Sequence, residues 1–201
     1  MSEIHHIFPT PVYIDKIERE FTKKELSFVK KLKETAYNNA GNQRSKDSYL
    51  LDKPEFKKLK KDLMKIVENY FKEVLSVKDI TPYITQSWIN WTNKNQWHHR
   101  HSHANSYVSG VLYLAADEKV DKIEFHRRNE PIFLPRNLGF NMYNTNSWWF
   151  GVTTGLCVLF PSTTIHEVMR KSDNNERISL AFNVFFKGIL GDNFELTELK
   201  I

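Results

Sequence analysis

Cysteine is almost absent. The chain of 201 residues has one, Cys157, so no internal disulfide framework holds it together. That residue sits in the apolar run Leu156-Cys157-Val158-Leu159-Phe160, where a buried, inert thiol is expected. Long hydrophobic runs are missing too. No stretch approaches the ~20 apolar residues that cross a bilayer. The first ten residues lack a charged segment followed by an apolar one, so a secretory signal is not expected. Arginine-rich stripes and nucleic-acid motifs are lacking. The net charge of +5 then reads as an ordinary basic surface that also favours approach of anionic substrates. Internal repeats and low-complexity segments are absent. A reducing cytoplasm is the expected compartment.

Hydrophobic residues make up 40% and charged residues 26%, a globular balance. Aromatics reach 13%, with fourteen Phe and five Trp, which suits a β-rich core or an aromatic-lined cleft. The length fits one domain with a sizeable core.

Along the chain the texture changes once. Ile4 to Ile14 reads as an extended lead-in strand broken by prolines. Thr22 to Ala36 carries Leu26, Val29, Leu32 and Ala36 at helical spacing, with Thr22 as N-cap. Pro54 to Leu75 is the longest helical signal, an apolar stripe from Phe56 to Val74 with lysines opposite. After Pro82 come strand-like runs at Ile84–Trp91, Tyr107–Leu114, Lys122–Phe125, Leu156–Phe160 and Arg177–Phe186. This order predicts a mainly β protein, with a helical flank over residues 1–80, a β core over 81–190 and a tail over 191–201. A jelly-roll or cupin-like barrel is the favoured form.

The chemistry concentrates in Trp97-His98-His99-Arg100-His101-Ser102-His103. In extended chain, residues two apart face the same way, so His99, His101 and His103 share a face. Imidazole is the commonest ligand for iron, zinc and copper, and two or three on one face read as part of a metal site; a solvated polar loop is the plain alternative. A strand ending at Pro161 is followed by a lone histidine, His166, and then by Arg177-Ile178-Ser179. Arg177 and Ser179 share a strand face, and a guanidinium beside a hydroxyl suits a carboxylate. Arg177 could equally make a surface pair with Glu176 or Asp173, and His166 could be a hydrogen-bonded core residue.

In their order, these pieces resemble the 2-oxoglutarate and Fe(II)-dependent oxygenases, in particular a small branch common in phage and bacterial genomes. The matching segments are Phe8-Pro9-Thr10-Pro11, Ser87-Trp88-Ile89-Asn90, His101-Ser102-His103 with Asn105 to Leu114, Leu159-Phe160-Pro161-Ser162, His166, and Glu176 to Asn183. The resemblance implies a double-stranded β-helix core, with Fe(II) as the metal and 2-oxoglutarate and dioxygen as co-substrates. It also implies hydroxylation of a C–H bond in a small-molecule or peptidyl substrate. His101 and His166 would be iron ligands. Arg177, assisted by Ser179 and Tyr113, would hold the far carboxylate of 2-oxoglutarate, and Asn183 would line the pocket.

One position departs from the family pattern of two histidines and a carboxylate. His103 stands where the carboxylate belongs: either it ligates, giving a three-histidine site that leaves the ion its full charge, or it sits back and water or another side chain fills the place. The pair His99 and His101 remains an alternative, and the spacing of Asp117 and Glu124 gives them no ligand role. Ligand imidazoles must be neutral, so metal affinity is expected to fall below roughly pH 6. The aromatic segment Phe140–Phe150 is expected to form a lid or substrate cradle, or to pack under the barrel rim. Two rival classes remain: a cupin-like metal enzyme or sugar-binding barrel that ignores 2-oxoglutarate, and a binding protein with a degenerate site.

Overall fold

The structure, a computed structural model, describes residues 2–128, 133 and 135–201. In chain order the elements are β1 (Tyr13–Lys16), α1 (Lys23–Glu34), β2 (Tyr37–Asn38), β3 (Gln43–Arg44), α2 (Lys57–Asn69), β4 (Ile80–Thr92), β5 (His98–His101), β6 (Val108–Ala115), β7 (Lys122–His126), β8 (Ser147–Gly151), β9 (Leu156–Pro161), β10 (Ile165–Val168), β11 (Arg177–Leu190) and β12 (Leu199–Lys200). Strands form two sheets. The larger runs β1-β9-β6-β11-β4-β3-β2, with β12 extending β11, and the smaller runs β5-β10-β7-β8. All pairings within both sheets are antiparallel. This is the mainly β, jelly-roll core with flanking helices that the sequence pattern predicts.

The helices begin and end for local reasons. Thr22 caps α1 in a reciprocal capping box with Glu25. Buried Glu25 also takes a two-pronged hydrogen bond from Arg19, at 2.7 and 2.9 Å. The longer helix enters through a 3-10 turn at Pro54–Phe56 and leaves through a π turn at Tyr70–Val74. Its stripe of Leu59, Leu63, Ile66 and Val67 is buried.

The central strands are covered on both sides, and this explains their near-continuous burial. On the helix-facing side of the large sheet, Ile89, Trp91, Leu112, Cys157, Leu159, Leu180 and Val184 join the helix stripe in one core. On the opposite side Val158, Phe160 and Tyr113 meet Ile123 and Phe125 of the small sheet in a second core. Cys157 is fully buried, and burial pushes its thiol well above the usual range, in keeping with an inert role.

Several local expectations shift. The lead-in strand is confined to Tyr13–Lys16, and Phe8, with φ 54°, is fully exposed. The first 80 residues are not purely helical, because β1 to β3 extend the large sheet. Pro82 lies inside β4, opposite Phe186. It is tolerated because β3 meets β4 only at Asn90 and Trp91, so the neighbouring edge at Pro82 needs no donor. At the end of Phe140–Phe150, Ser147–Gly151 forms the edge strand β8. Phe150 packs on Phe125, while Trp148 and Trp149 stay largely exposed. No helix among the described residues is long and apolar enough to cross a membrane.

Candidate metal centre

Polar residues on the inner face of the large sheet build the site. A cavity between the sheets is lined by Trp88 and Asn90 of β4, Ser109, Gly110 and Tyr113 of β6, and Arg177 and Ser179 of β11, with His98, His101, His103 and His166 at the other wall. The alternation of the strands sends helix-facing residues one way and these polar residues the other.

Histidine convergence follows from strand pairing. His101 and His166 stand directly opposite each other in β5 and β10. His103 follows β5, where its backbone N–H donates to Ser162 O at 2.9 Å. One ring nitrogen from each of His101, His103 and His166 lies within 4.8 Å of the others. In two of the three rings the second nitrogen has its own partner. His101 Nδ1 is 2.7 Å from His99 O and His166 Nδ1 is 3.1 Å from Thr164 O. A carbonyl oxygen only accepts, so each Nδ1 carries the proton and each Nε2 is left with a free lone pair. Ring orientation by a backbone carbonyl is the usual support of a metal-binding imidazole. The donor set therefore fits a divalent transition metal such as iron.

The group contains no carboxylate. His98, His99 and His101 also bring their ligand atoms within 4.8 Å of one another, so the alternative pairing of His99 and His101 is comparably close. It lacks the opposing strand: its three members are neighbours on one stretch of chain, whereas His166 closes the first group from β10. Burial, with the charges of neighbouring imidazoles, holds His98 and His166 down at about 3 and His103 at about 4. His101 is also lowered, chiefly by burial. His98, His103 and His166 stay neutral well below the onset near pH 6 expected from free histidine.

Arg177 closes the far end. It is 2% exposed, its Nη1 donates to Lys122 O at 3.2 Å, and its buried Nε has no partner among the described residues. Neither surface pair is made: Glu176 bonds Lys33 at 2.5 Å and Asp173 bonds Lys171 at 2.5 Å. Burial lowers the Arg177 pKa, and its Cζ lies 5.9 Å from the centre of the Tyr113 ring. Burial also pushes the Tyr113 hydroxyl up to about 12, so it stays a neutral hydrogen-bonding group. An uncompensated buried guanidinium is costly, and a bound carboxylate would remove that cost.

Ser179 lines the same cavity. Asn183 is buried but is not among the lining residues; its Oδ1 accepts from Ser109 Oγ at 3.2 Å, at one end of a hydroxyl chain through Ser162 and Ser106. Asp117 serves a turn, accepting from Lys119 N–H at 3.0 Å.

Residues 86–183 match the model of a family described as putative 2OG-Fe(II) oxygenase. Over that segment the chain matches the 2OG-Fe(II) oxygenases. Solved structures agree at the level of fold. HygX from Streptomyces hygroscopicus, determined with nickel, 2-oxoglutarate and hygromycin B bound, has a TM-score of 0.59 at 16% identity, over 87% of this chain and 82% of its own. A prolyl-4-hydroxylase from Pseudomonas putida has a TM-score of 0.55 at 13% identity, over 87% and 92%. SnoN, an α-ketoglutarate-dependent epimerase of nogalamycin biosynthesis, has a TM-score of 0.59 at 9% identity, over 88% and 78%. A comparison with curated proteins found no match.

Two residues of this oxygenase segment escape a reading based on charge and histidine spacing. Asn90 stands opposite Ser179 across β4 and β11, and its buried Oδ1 lacks a partner. Gly110 stands opposite Phe182, whose ring occupies the space a Cβ would need. Both lie in segments that carry the family resemblance, but only the strand register shows what they face.

Proposed function

We propose that this chain is an Fe(II)- and 2-oxoglutarate-dependent dioxygenase that hydroxylates a C–H bond of a small-molecule or peptidyl substrate. The observation that carries this reading is one cavity with three free imidazole nitrogens at one wall and a buried, uncompensated guanidinium at the other. Residues 81–190 act as the catalytic core and 1–80 as its flank. A barrel metalloenzyme without a diacid co-substrate has no use for Arg177 in this position.

His101, His103 and His166 would hold the iron and leave its remaining positions open. Iron and 2-oxoglutarate supply the oxidising chemistry, in which dioxygen and 2-oxoglutarate are consumed, succinate and carbon dioxide are released, and one oxygen atom enters the substrate. The work of the chain is placement. Arg177 binds the C5 carboxylate by charge-assisted hydrogen bonds, with Ser179 and the neutral Tyr113 hydroxyl as further donors. Phe160, Ile123 and Val111 line the cavity between its ends and keep bulk water from it. The single thiol is buried away from the cavity, and the ferrous state of the metal suits a reducing cytoplasm.

The test is anaerobic loading with Fe(II) and 2-oxoglutarate, followed by exposure to air. Succinate and carbon dioxide are expected in equal amounts, with oxygen uptake to match. Failure of the iron-loaded protein to bind or consume 2-oxoglutarate, with Arg177→Met behaving as the parent does, would overturn the assignment.

A further inference from the structure

The outer face of the small sheet carries a second set of ligand-type side chains. Glu124 of β7 and Glu167 of β10 are directly opposite each other. His126, two residues beyond Glu124, shares their face. Ligand atoms of the three lie within 4.8 Å of one another. Phe125 and His166, which stand opposite each other beside them, belong to the other face: Phe125 packs in the inner core and His166 lines the cavity. Strand alternation therefore turns this cluster away from the histidine group, although Glu167 also borders the cavity.

Taken as it stands, the cluster is electrostatically incomplete. Like charges directly opposite in an antiparallel pair are destabilising. Lys122 does not relieve this, because its Nζ lies over the Trp149 ring, 3.6 Å from its centre. Arg100 reaches Glu167 alone, at 3.3 Å, from a side chain that is half exposed, and such a rim contact contributes little. The His126 side chain is 8% exposed. Its buried Nε2 has no hydrogen-bond partner among the described residues, although Glu167 Oε1 is only 2.7 Å away. The approach is close but off the N–H direction. One imidazole nitrogen and two carboxylates that converge, with no well-directed hydrogen bond at His126 Nε2, form a nitrogen–oxygen set for a divalent cation.

We propose that Glu124, His126 and Glu167 form a second metal site, for a divalent transition cation of the zinc class. The ion removes the repulsion between the two carboxylates and satisfies His126 Nε2. It also cross-links β7 to β10, the strand that presents His166 to the cavity. Its role is to brace that strand from outside, and it has no part in binding 2-oxoglutarate.

Zinc binding to metal-stripped protein tests this by calorimetry and by metal content after gel filtration. The full chain is expected to take two equivalents. The His101→Ala/His166→Ala variant is expected to keep one, and its melting temperature is expected to rise with zinc because the ion binds only the folded state. Adding the isosteric Glu124→Gln is expected to weaken the remaining site at least about tenfold. Absence of zinc binding to the double variant, or binding undiminished by Glu124→Gln, overturns the site. If the double variant does not fold, Glu124→Gln in the otherwise unchanged chain is read instead: one equivalent lost supports the site and two retained overturn it. None of these readouts involves 2-oxoglutarate, so their outcome is independent of the assigned activity.

Discussion

His101 and His166 face each other across the β5–β10 pair, with ring centroids 4.3 Å apart. Their separation is thus a property of strand register. A slip of one residue in β10 would turn His166 to the outer face and bring Glu167 inward. The register is held by pairing of β10 with β7 on its other side, where Ile165, His166 and Glu167 oppose His126, Phe125 and Glu124.

The first prediction concerns that pair. His166→Ala is expected to weaken Fe(II) binding to the inner site by at least about a hundredfold, since losing a direct ligand costs more than losing the groups that merely support one. Anaerobic calorimetry, with Co(II) as a spectroscopic substitute, reads the change. Unchanged affinity would remove His166 from the ligand set.

Arg177→Met keeps most of the side-chain volume and deletes the charge. Hydrogen bonds to a charged group are worth about 1.5–3 kcal/mol each, so 2-oxoglutarate affinity is expected to fall about 10- to 150-fold. Metal affinity is expected to hold. Parallel titrations of metal and co-substrate separate the two effects.

Acid is expected to destabilise the metal-free protein. Burial holds His98, His103 and His166 at about 3, 4 and 3, against about 6.5 in an unfolded chain. Below pH 6.5 the unfolded state binds protons that the folded state refuses. The stability these neutral rings represent is therefore fully present above pH 6.5 and is lost as pH falls toward the folded values. The loss approaches ~1.4 kcal/mol per pH unit for each ring. Urea midpoints at pH 7.5 and pH 5 measure it, and coincident midpoints would contradict the burial of these imidazoles.

Gly110→Ala is expected to cost about 1–3 kcal/mol, the usual range for forcing an extra methyl into a packed core. The added Cβ meets the Phe182 ring, and Gly110 and Phe182 both line the cavity. Denaturant unfolding of Gly110→Ala, with Gly110→Ala/Phe182→Leu as the relieving double variant, tests the cause. Equal destabilisation in the two would point to backbone effects instead.

Much of this protein is legible in its residue order. The apolar stripe after Pro54, the capping pair Thr22 and Glu25, and the β-branched and aromatic runs from residue 84 onward all mark elements that form where periodicity places them, because burial on one face or both is a local requirement on sequence. The His101–His103 cluster and the late Arg177 are visible for a related reason, as residues too polar to fill a core without a task. Two short strands are less legible. His98–His101 and Ile165–Val168 have weak strand character, and it is their pairing with each other and with β7 that holds them extended.

The sequence by itself determined the mainly β architecture, its helical flank and the side chains able to hold a metal and a diacid, since all of these follow from hydrophobic period and side-chain chemistry. Tertiary structure alone decided which groups meet. It left Arg177 buried without a carboxylate while Glu176 and Asp173 found lysines, moved Asn183 behind the cavity wall, and gave Glu124, which spacing left without a ligand role, the company of His126 and Glu167. The physical reason is that register between strands distant in sequence is chosen by the packing of whole sheets, and that choice assigns every side chain on a strand to one face or the other.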